Sequence, residues 1–259
     1  MRLCVLGPSG RMGAAVIDAA DADPAVVVAA AVDRQGAAVL GSAVAADVIA
    51  SDDLSHGLAA ADVYVDFTMP LATAAVARAA IASRTAAVIG TTGLDAAARA
   101  AIDELAAVAP VVVAANFSLG VNLVLGLCRQ AARALGPTWD TEIVELHHRA
   151  KRDAPSGTAI AMGRAIAAGV GADFDRVHCY ARAGEVGARP DGEIGVVAVR
   201  GGDVVGEHTA YFFGPHERVE ISHRATDRGI FAAGAVRAAA WVVTQPPGRY
   251  DMLDVLGLA

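Results

Sequence analysis

With 259 residues, 55% of them hydrophobic and 19% charged, the chain can bury one large core or two modest ones. Its net charge of −7 argues against nucleic acid or an anionic membrane as the main partner. Cys4, Cys128 and Cys179 are widely spaced and form no C-x-x-C pair, which excludes a disulfide framework and a zinc site and fits a reducing cytoplasm. No apolar run has the length of a signal peptide or a membrane span.

Residues 2–7 read as a buried strand, Arg11 to Ala20 as a helix, and Val26–Asp33 as a second strand. Between the first strand and the helix stand Gly7, Pro8, Ser9, Gly10, Arg11, Met12 and Gly13, where a phosphate-cradling turn belongs. Gly7 permits the tight turn, Gly10 lets backbone approach a pyrophosphate, and Gly13 lets helix and strand pack closely. The G-x-x-G-x-x-G spacing departs from G-x-G-x-x-G, and a glycine match alone is weak. It gains weight from Asp33 at the end of the second strand, placed to accept hydrogen bonds from an adenosine ribose. Arg34 follows and suits a 2′-phosphate instead. The plain alternative is an ordinary βαβ turn.

Asp62–Phe67 is a third strand, followed by a helix over Leu71–Ser83, a strand over Ala86–Gly90, a helix over Leu94–Ala107 and a strand over Val111–Ala115. Alternation of this kind implies βαβ crossovers and a parallel sheet, and near-continuous Val/Ala strands imply a sheet covered on both faces. Gly90, Thr91 and Thr92 fall at one strand's C-terminal end, and Ala114, Ala115, Asn116 and Phe117 at another. Ligands bind at such ends in open α/β sheets, although the same composition also suits plain turns.

The character changes after residue 118. A helix over Leu119–Leu135 precedes longer strands over Thr141–His147, Glu193–Arg200, Val204–Phe213 and Arg218–Arg224, with a last helix over Ile230–Val243. Better alternation here indicates a mixed or antiparallel sheet with one solvated or partner-covered face.

Residues 145–158, E-L-H-H-R-A-K-R-D-A-P-S-G-T, concentrate chemistry. Pro155 suits the first turn of a helix, and Ser156, Gly157 and Thr158 would leave free N–H groups and hydroxyls at its start, a natural anion site. His147, His148 and Lys151 stand just ahead of it, as proton transfer to a small anion requires. The two histidines are adjacent on a strand and point to opposite sides, so they serve separate roles and no metal is expected. The bland reading is a solvated basic loop. His178, His208, His216 and His223 read as structural, Trp139 and Trp241 as packing residues, and Arg224 as a substrate, interface or structural residue.

Together with G-x-x-G-R-M-G near residue 10, V-D-F-T at 65–68, G-T-T-G at 90–93, A-N-F-S-x-G-V-N at 115–122 and I-S-H-R-A at 221–225, this block closely resembles the 4-hydroxy-tetrahydrodipicolinate (dihydrodipicolinate) reductase family over essentially the whole chain. The resemblance implies an α/β fold: a Rossmann-type domain over 1–118 and 235–259, and an inserted α+β domain over 119–234 for substrate binding and oligomerisation. It implies a cytoplasmic homotetramer that uses NADH, NADPH or both to reduce a cyclic imine dicarboxylate in the diaminopimelate route to lysine. By motif, His147 and Lys151 would be the catalytic acid/base pair. His148, Ser156, Gly157 and Thr158 would hold substrate. Gly7, Pro8, Ser9, Gly10, Arg11, Met12, Asp33, Arg34, Gly90, Thr91, Thr92, Ala114, Ala115, Asn116 and Phe117 would line the cofactor site. Asp33 stands where glutamate is familiar, and Met69 replaces a basic residue of some members, so cofactor preference stays open. Another nicotinamide-dependent amino-acid dehydrogenase would lack the 145–158 block, and a nicotinamide-sensing regulator would need a basic or partner-binding surface.

Overall fold

The first strand is β1 (Arg2–Leu6), followed by α1 (Arg11–Asp21), β2 (Val27–Val32), a small β3–β4 hairpin (Ala43–Ala45, Val48–Ile49), α2 (Leu54–Ala59), β5 (Val63–Asp66), α3 (Pro70–Ser83), β6 (Ala86–Ile89), α4 (Ala96–Ala106) and β7 (Pro110–Val113). The computed structural model describes residues 1–258. Helix starts follow local chemistry. Asp53 caps α2 by accepting from the His56 amide, Asp95 caps α4 by accepting from the Ala98 amide, and Pro70 opens α3, where its missing N–H leaves no bond unmade. β5 and β6 are buried over their whole length because helices cover both faces of the sheet. The hairpin and α2 were too short to register as periodic patterns in the sequence.

The next stretch runs α5 (Leu119–Leu135), β8 (Asp140–His147), α6 (Gly157–Val170), α7 (Phe174–Val177), β9 (His178–Cys179), β10 (Ile194–Arg200), β11 (Gly206–Gly214) and β12 (Glu217–Ala225). Its five strands order as β12-β11-β8-β10-β9, with β8 parallel to β10 and antiparallel to β11. The sheet is therefore mixed, as the alternation implied. Thr141, Ile143, Glu145 and His147 are the buried positions of β8 and share one face. On that side Ile143, Val196, Ala210 and Phe212 pack with Met162 and Ile166 of α6, and α6 lies over β8, β10 and β11. Apart from Ala210, each such side chain contributes roughly 1.5–3 kcal/mol on burial.

The chain ends with α8 (Gly229–Val242), β13 (Gly248–Tyr250) and α9 (Met252–Leu256). These return to the first unit, which comprises Met1–Leu119 and Gly229–Gly257; the second comprises Gly120–Arg228 with Leu258. β13 extends the first sheet beyond β7, giving the all-parallel order β13-β7-β6-β5-β1-β2. The crossover from β1 to β2 on one side and to β5 on the other makes this the Rossmann arrangement. A Cβ on Gly234 would lie 1.7 Å from the Phe117 carbonyl oxygen, so only glycine lets α8 seat this closely on the segment after β7. Among the described residues no helix is long and apolar enough to cross a membrane.

Candidate active site

The turn after β1 is built for close approach. Gly7 has φ +68°, and a Cβ on Gly13 would fall 2.1 Å from the Gly7 carbonyl oxygen. The Gly10 amide donates back to that same oxygen at 2.9 Å. Ser9, Gly10 and Arg11 are exposed, whereas Pro8 is buried and Met12 packs on the core. Asp33, just past β2, accepts from the Ser9 amide at 3.1 Å and from the Arg34 amide at 2.8 Å. Burial works to raise its pKa, but the hydrogen bonds from Ser9 and Arg34 outweigh that and hold it below the ordinary value, so the carboxylate is ionised. An exposed backbone cradle with a fixed carboxylate beside it fits a dinucleotide's pyrophosphate and ribose.

The other two strand ends divide between packing and exposure. Gly90 is buried, and a Cβ there would stand 2.0 Å from the Phe67 ring. Thr91 is buried and donates to Asp66 at 3.2 Å, leaving Thr92 exposed. Phe117 meets Phe67 edge-on at 5.5 Å inside the core. Its ring therefore supports the segment from within. Ala115 is exposed, Ala114 is half-buried, and Asn116 accepts from the Ser118 amide at 2.8 Å.

In the second unit the structure assembles a buried polar cluster at the end of β8. Glu145 is fully buried, and its Oε2 lies 2.6 Å from His147 Nδ1. The Ser156 amide donates to Oε1 at 3.0 Å, and Arg200 of β10 donates to both oxygens at 2.7 and 2.8 Å. Register explains the gathering: His147 pairs with Arg200 on one side, and Glu145 pairs with His208 on the other. Burial drives the Glu145 carboxyl toward a higher pKa, yet the bonds from Arg200, His147 and Ser156 keep it below the usual range. Burial lowers the His147 pKa, with Glu145 opposing and Lys151 and Arg200 assisting. His208 is pushed down to about 4 by burial and stays neutral near pH 7. Among the described residues, no group of three or more His, Cys, Asp or Glu is arranged to hold a metal ion.

The loop after β8 carries the remaining expected residues. The Lys151 ammonium pairs with Asp153 Oδ2 at 2.9 Å. His148 is half-buried, and its Nε2 stands 3.5 Å from Arg228 Nη2. Two expectations need correction. Pro155 precedes the cap of α6 and does not sit in its first turn. Ser156 is that cap, and it is buried: its Oγ accepts from the Ala159 amide at 3.2 Å and bonds His208 Nε2 at 2.8 Å, while its amide serves Glu145. Its polar groups are therefore spoken for, because the helix start docks on Glu145. Gly157, the first helical residue, is exposed with open space around its Cα, and Thr158 follows half-buried.

Glu145, Arg200 and Gly206 carry no expected role from sequence, and His208 only a structural one. The i, i+2 spacing of Glu145 and His147 on a strand was the available signal; the others depend on strand register. Gly206 has a direct consequence: a Cβ there would lie 2.9 Å from His147 Nε2. Because Nδ1 is tied to Glu145, the ring cannot swing away cheaply. With His147 as the acid/base residue expected from sequence, Gly206→Ala should lower kcat by about 10-fold or more, the cost of a small misplacement of a reacting group, with little change in Tm. Steady-state kinetics beside thermal melts would check this; unchanged kcat would show the Nε2 side to be roomier than drawn.

Known proteins match the chain across both of its units. Residues 1–117 match the family described as dihydrodipicolinate reductase, N-terminus, and residues 120–256 match dihydrodipicolinate reductase, C-terminus. The 4-hydroxy-tetrahydrodipicolinate reductase of Alkalilimnicola ehrlichii is 50% identical over 265 residues, spanning 99% of both chains. That of Anaeromyxobacter dehalogenans is 48% identical over 264 residues, spanning 99% of this chain and 98% of the other. A dipicolinate-bound dihydrodipicolinate reductase from Paenisporosarcina sp. matches the fold with a TM-score of 0.81 at 25% identity, covering 98% of each chain. Alike in sequence from end to end and in fold across both units, the chain belongs to the dihydrodipicolinate reductase family.

Proposed function

We propose that this protein reduces 4-hydroxy-tetrahydrodipicolinate to tetrahydrodipicolinate with NADH or NADPH, the 4-hydroxyl leaving as water, in the diaminopimelate route to lysine. The observation that carries the reading is the 145–158 block, with His147 held by a buried carboxylate at the end of β8 and a helix start at Gly157 following in the same block. The reduced nicotinamide, when bound, supplies the hydride. Gly7, Ser9, Gly10 and Arg11 would cradle the pyrophosphate and Asp33 the ribose, with Arg34, Thr92 and Ala114 to Asn116 lining the site. Loss of the 4-hydroxyl as water leaves a conjugated imine, and hydride addition to it pushes electrons onto a ring atom that must then be protonated. His147 and Lys151 serve as the acid/base pair for that step, a lysine beside the histidine also stabilising developing negative charge. His148 contacts substrate, and the backbone at Gly157 and Thr158 holds one carboxylate at the N-terminus of α6.

A homotetramer in the cytoplasm is part of this reading. Val197, Val199 and Phe213 are 41%, 44% and 38% exposed on the sheet face opposite the second unit's core, which supports a self-associating surface. Three free cysteines are compatible with a reducing compartment.

The test is a steady-state comparison of NADH and NADPH with enzymatically generated substrate. The ionised Asp33 repels a 2′-phosphate, and Arg34 offsets that repulsion. Both cofactors are expected to work, with kcat/KM values within about tenfold, a difference of roughly 1.4 kcal/mol. Asp33→Ala should move preference toward NADPH and Arg34→Ala toward NADH. No turnover with either cofactor would refute the activity, and an unmoved NADH/NADPH ratio in both variants would place the ribose elsewhere.

A further inference from the structure

We propose that Glu145, clamped by Arg200, is the positioning residue that decides which nitrogen of His147 exchanges a proton with substrate. The inference rests on the acid/base reading of His147. The four-way environment of the carboxylate is its foundation. Each oxygen of Glu145 accepts twice: Oε1 from the Ser156 amide at 3.0 Å and Arg200 Nη2 at 2.7 Å, Oε2 from Arg200 Nη1 at 2.8 Å and His147 Nδ1 at 2.6 Å. An ionised carboxylate is an acceptor only, so the 2.6 Å contact requires the proton on Nδ1. Neutral His147 then carries its lone pair on Nε2, the nitrogen with no hydrogen-bond partner among the described residues. The tautomer is thereby fixed by the wiring behind the ring.

Arg200 explains why the ring is not simply locked as an imidazolium. A lone buried carboxylate 2.6 Å away would favour the charged ring strongly. Here the guanidinium shares the same two oxygens. The charged or titratable groups that face His147 are Glu145 on its own strand, Arg200 on β10, His208 on β11 with its ring centroid 5.1 Å away, and Lys151 on the following loop. His223 stands behind, opposite His208 on β12. Only Glu145 favours the imidazolium; Arg200 and Lys151 oppose it, and neutral His208 offers no anion. The proton affinity of Nε2 is a balance between one carboxylate and the cations around it. Packing alone would not call for such a pair, because apolar residues of equal volume are often as stable as a buried ion pair.

Two substitutions at opposite ends of this ion pair should therefore move His147 in opposite directions. In Glu145→Gln the favouring charge is gone, so the His147 pKa falls by about 1 or more. The Nδ1–H tautomer becomes a mixture, and kcat drops by roughly 10-fold or more, the lower end of what losing a histidine's orienting carboxylate costs, with KM moving less than about threefold. In Arg200→Met the opposing charge is gone, so the pKa rises by about 1 and the tautomer is kept. Arg200→Lys, which keeps the charge, gives a smaller rise should the methionine variant not fold. The readouts are the imidazole nitrogen resonances of His147 in 15N-histidine-labelled protein, assigned by their loss in His147→Gln, and the pH profile of kcat/KM. A wild-type ring protonated on Nε2, or pKa shifts of the same sign in Glu145→Gln and Arg200→Met, would overturn the proposal. The resonances need no turnover: if they behave as expected while His147→Gln keeps full kcat, the acid/base reading fails and the wiring stands.

Discussion

Replacing His147 with alanine is expected to lower kcat by about 10²–10⁴-fold, the usual worth of a positioned general acid or base. The fold should survive the change. His147 is only one of four donors to Glu145, and the Arg200 and Ser156 bonds remain to keep that buried carboxylate paired. Nucleotide affinity should stay within a few-fold, because the glycine turn and Asp33 belong to the first unit and His147 to the second. Steady-state turnover and a fluorescence titration with NADH separate the two quantities. A variant with wild-type kcat would remove His147 from the chemistry.

Gly13→Ala should have the opposite signature, abolishing tight nucleotide binding and destabilising the first unit. The new Cβ would sit 2.1 Å from the Gly7 oxygen, 2.7 Å from its carbonyl carbon and 3.0 Å from Pro8 Cα. All three neighbours are backbone, so no rotamer change relieves the overlap, and the turn must open or α1 must move off β1. Overpacking of this kind costs roughly 1–3 kcal/mol. We expect a loss of that size in chemical denaturation and at least about a tenfold weaker NADH Kd, since each displaced amide in an anion cradle is a lost bond to phosphate. Gly10→Ala is the graded control, its Cβ meeting the Gly7 oxygen at a tight but tolerable 3.2 Å. Wild-type affinity and stability in Gly13→Ala would mean the turn is not a rigid cradle.

The parallel sheet was legible because its strands are buried on both faces and so read as unbroken apolar runs, as in β5 and β6. The second sheet was legible through alternation in β8 and β11. What escaped was short or non-local. β13 has three residues, Gly248 to Tyr250, and gains its strand character only from pairing with β7. The start of α6 was read two residues early, because proline before a cap and proline after it look alike without the backbone. Ser156 looked like a free hydroxyl because its two consumers, the Ala159 amide and His208, are a helix turn and 52 residues away. His208 read as an isolated strand histidine for the same reason. Its meaning comes from lying opposite Glu145 in the antiparallel register. Arg200 is likewise matched to its carboxylate only by the parallel pairing of β10 with β8. Side chains supplied by one segment could be found in the sequence; those supplied by neighbouring strands needed the register.

The return of α8, β13 and α9 to the first unit also sets an order of events during synthesis. Residues 120–228 emerge from the ribosome as one continuous piece, with every strand of their sheet already made. The first unit has by then displayed β1 to β7 but still lacks α8, whose Ala232, Ala235, Ala238, Ala239 and Val242 fill the core against one side of its sheet. Domains fold as units once their sequence is available. The later-starting unit thus has its whole sheet first, lacking only Leu258, and the earlier one waits with an apolar sheet face uncovered until about thirty more residues have been translated. In that interval the growing chain would be most open to chaperone capture, and slow codons placed after the insertion would lengthen it.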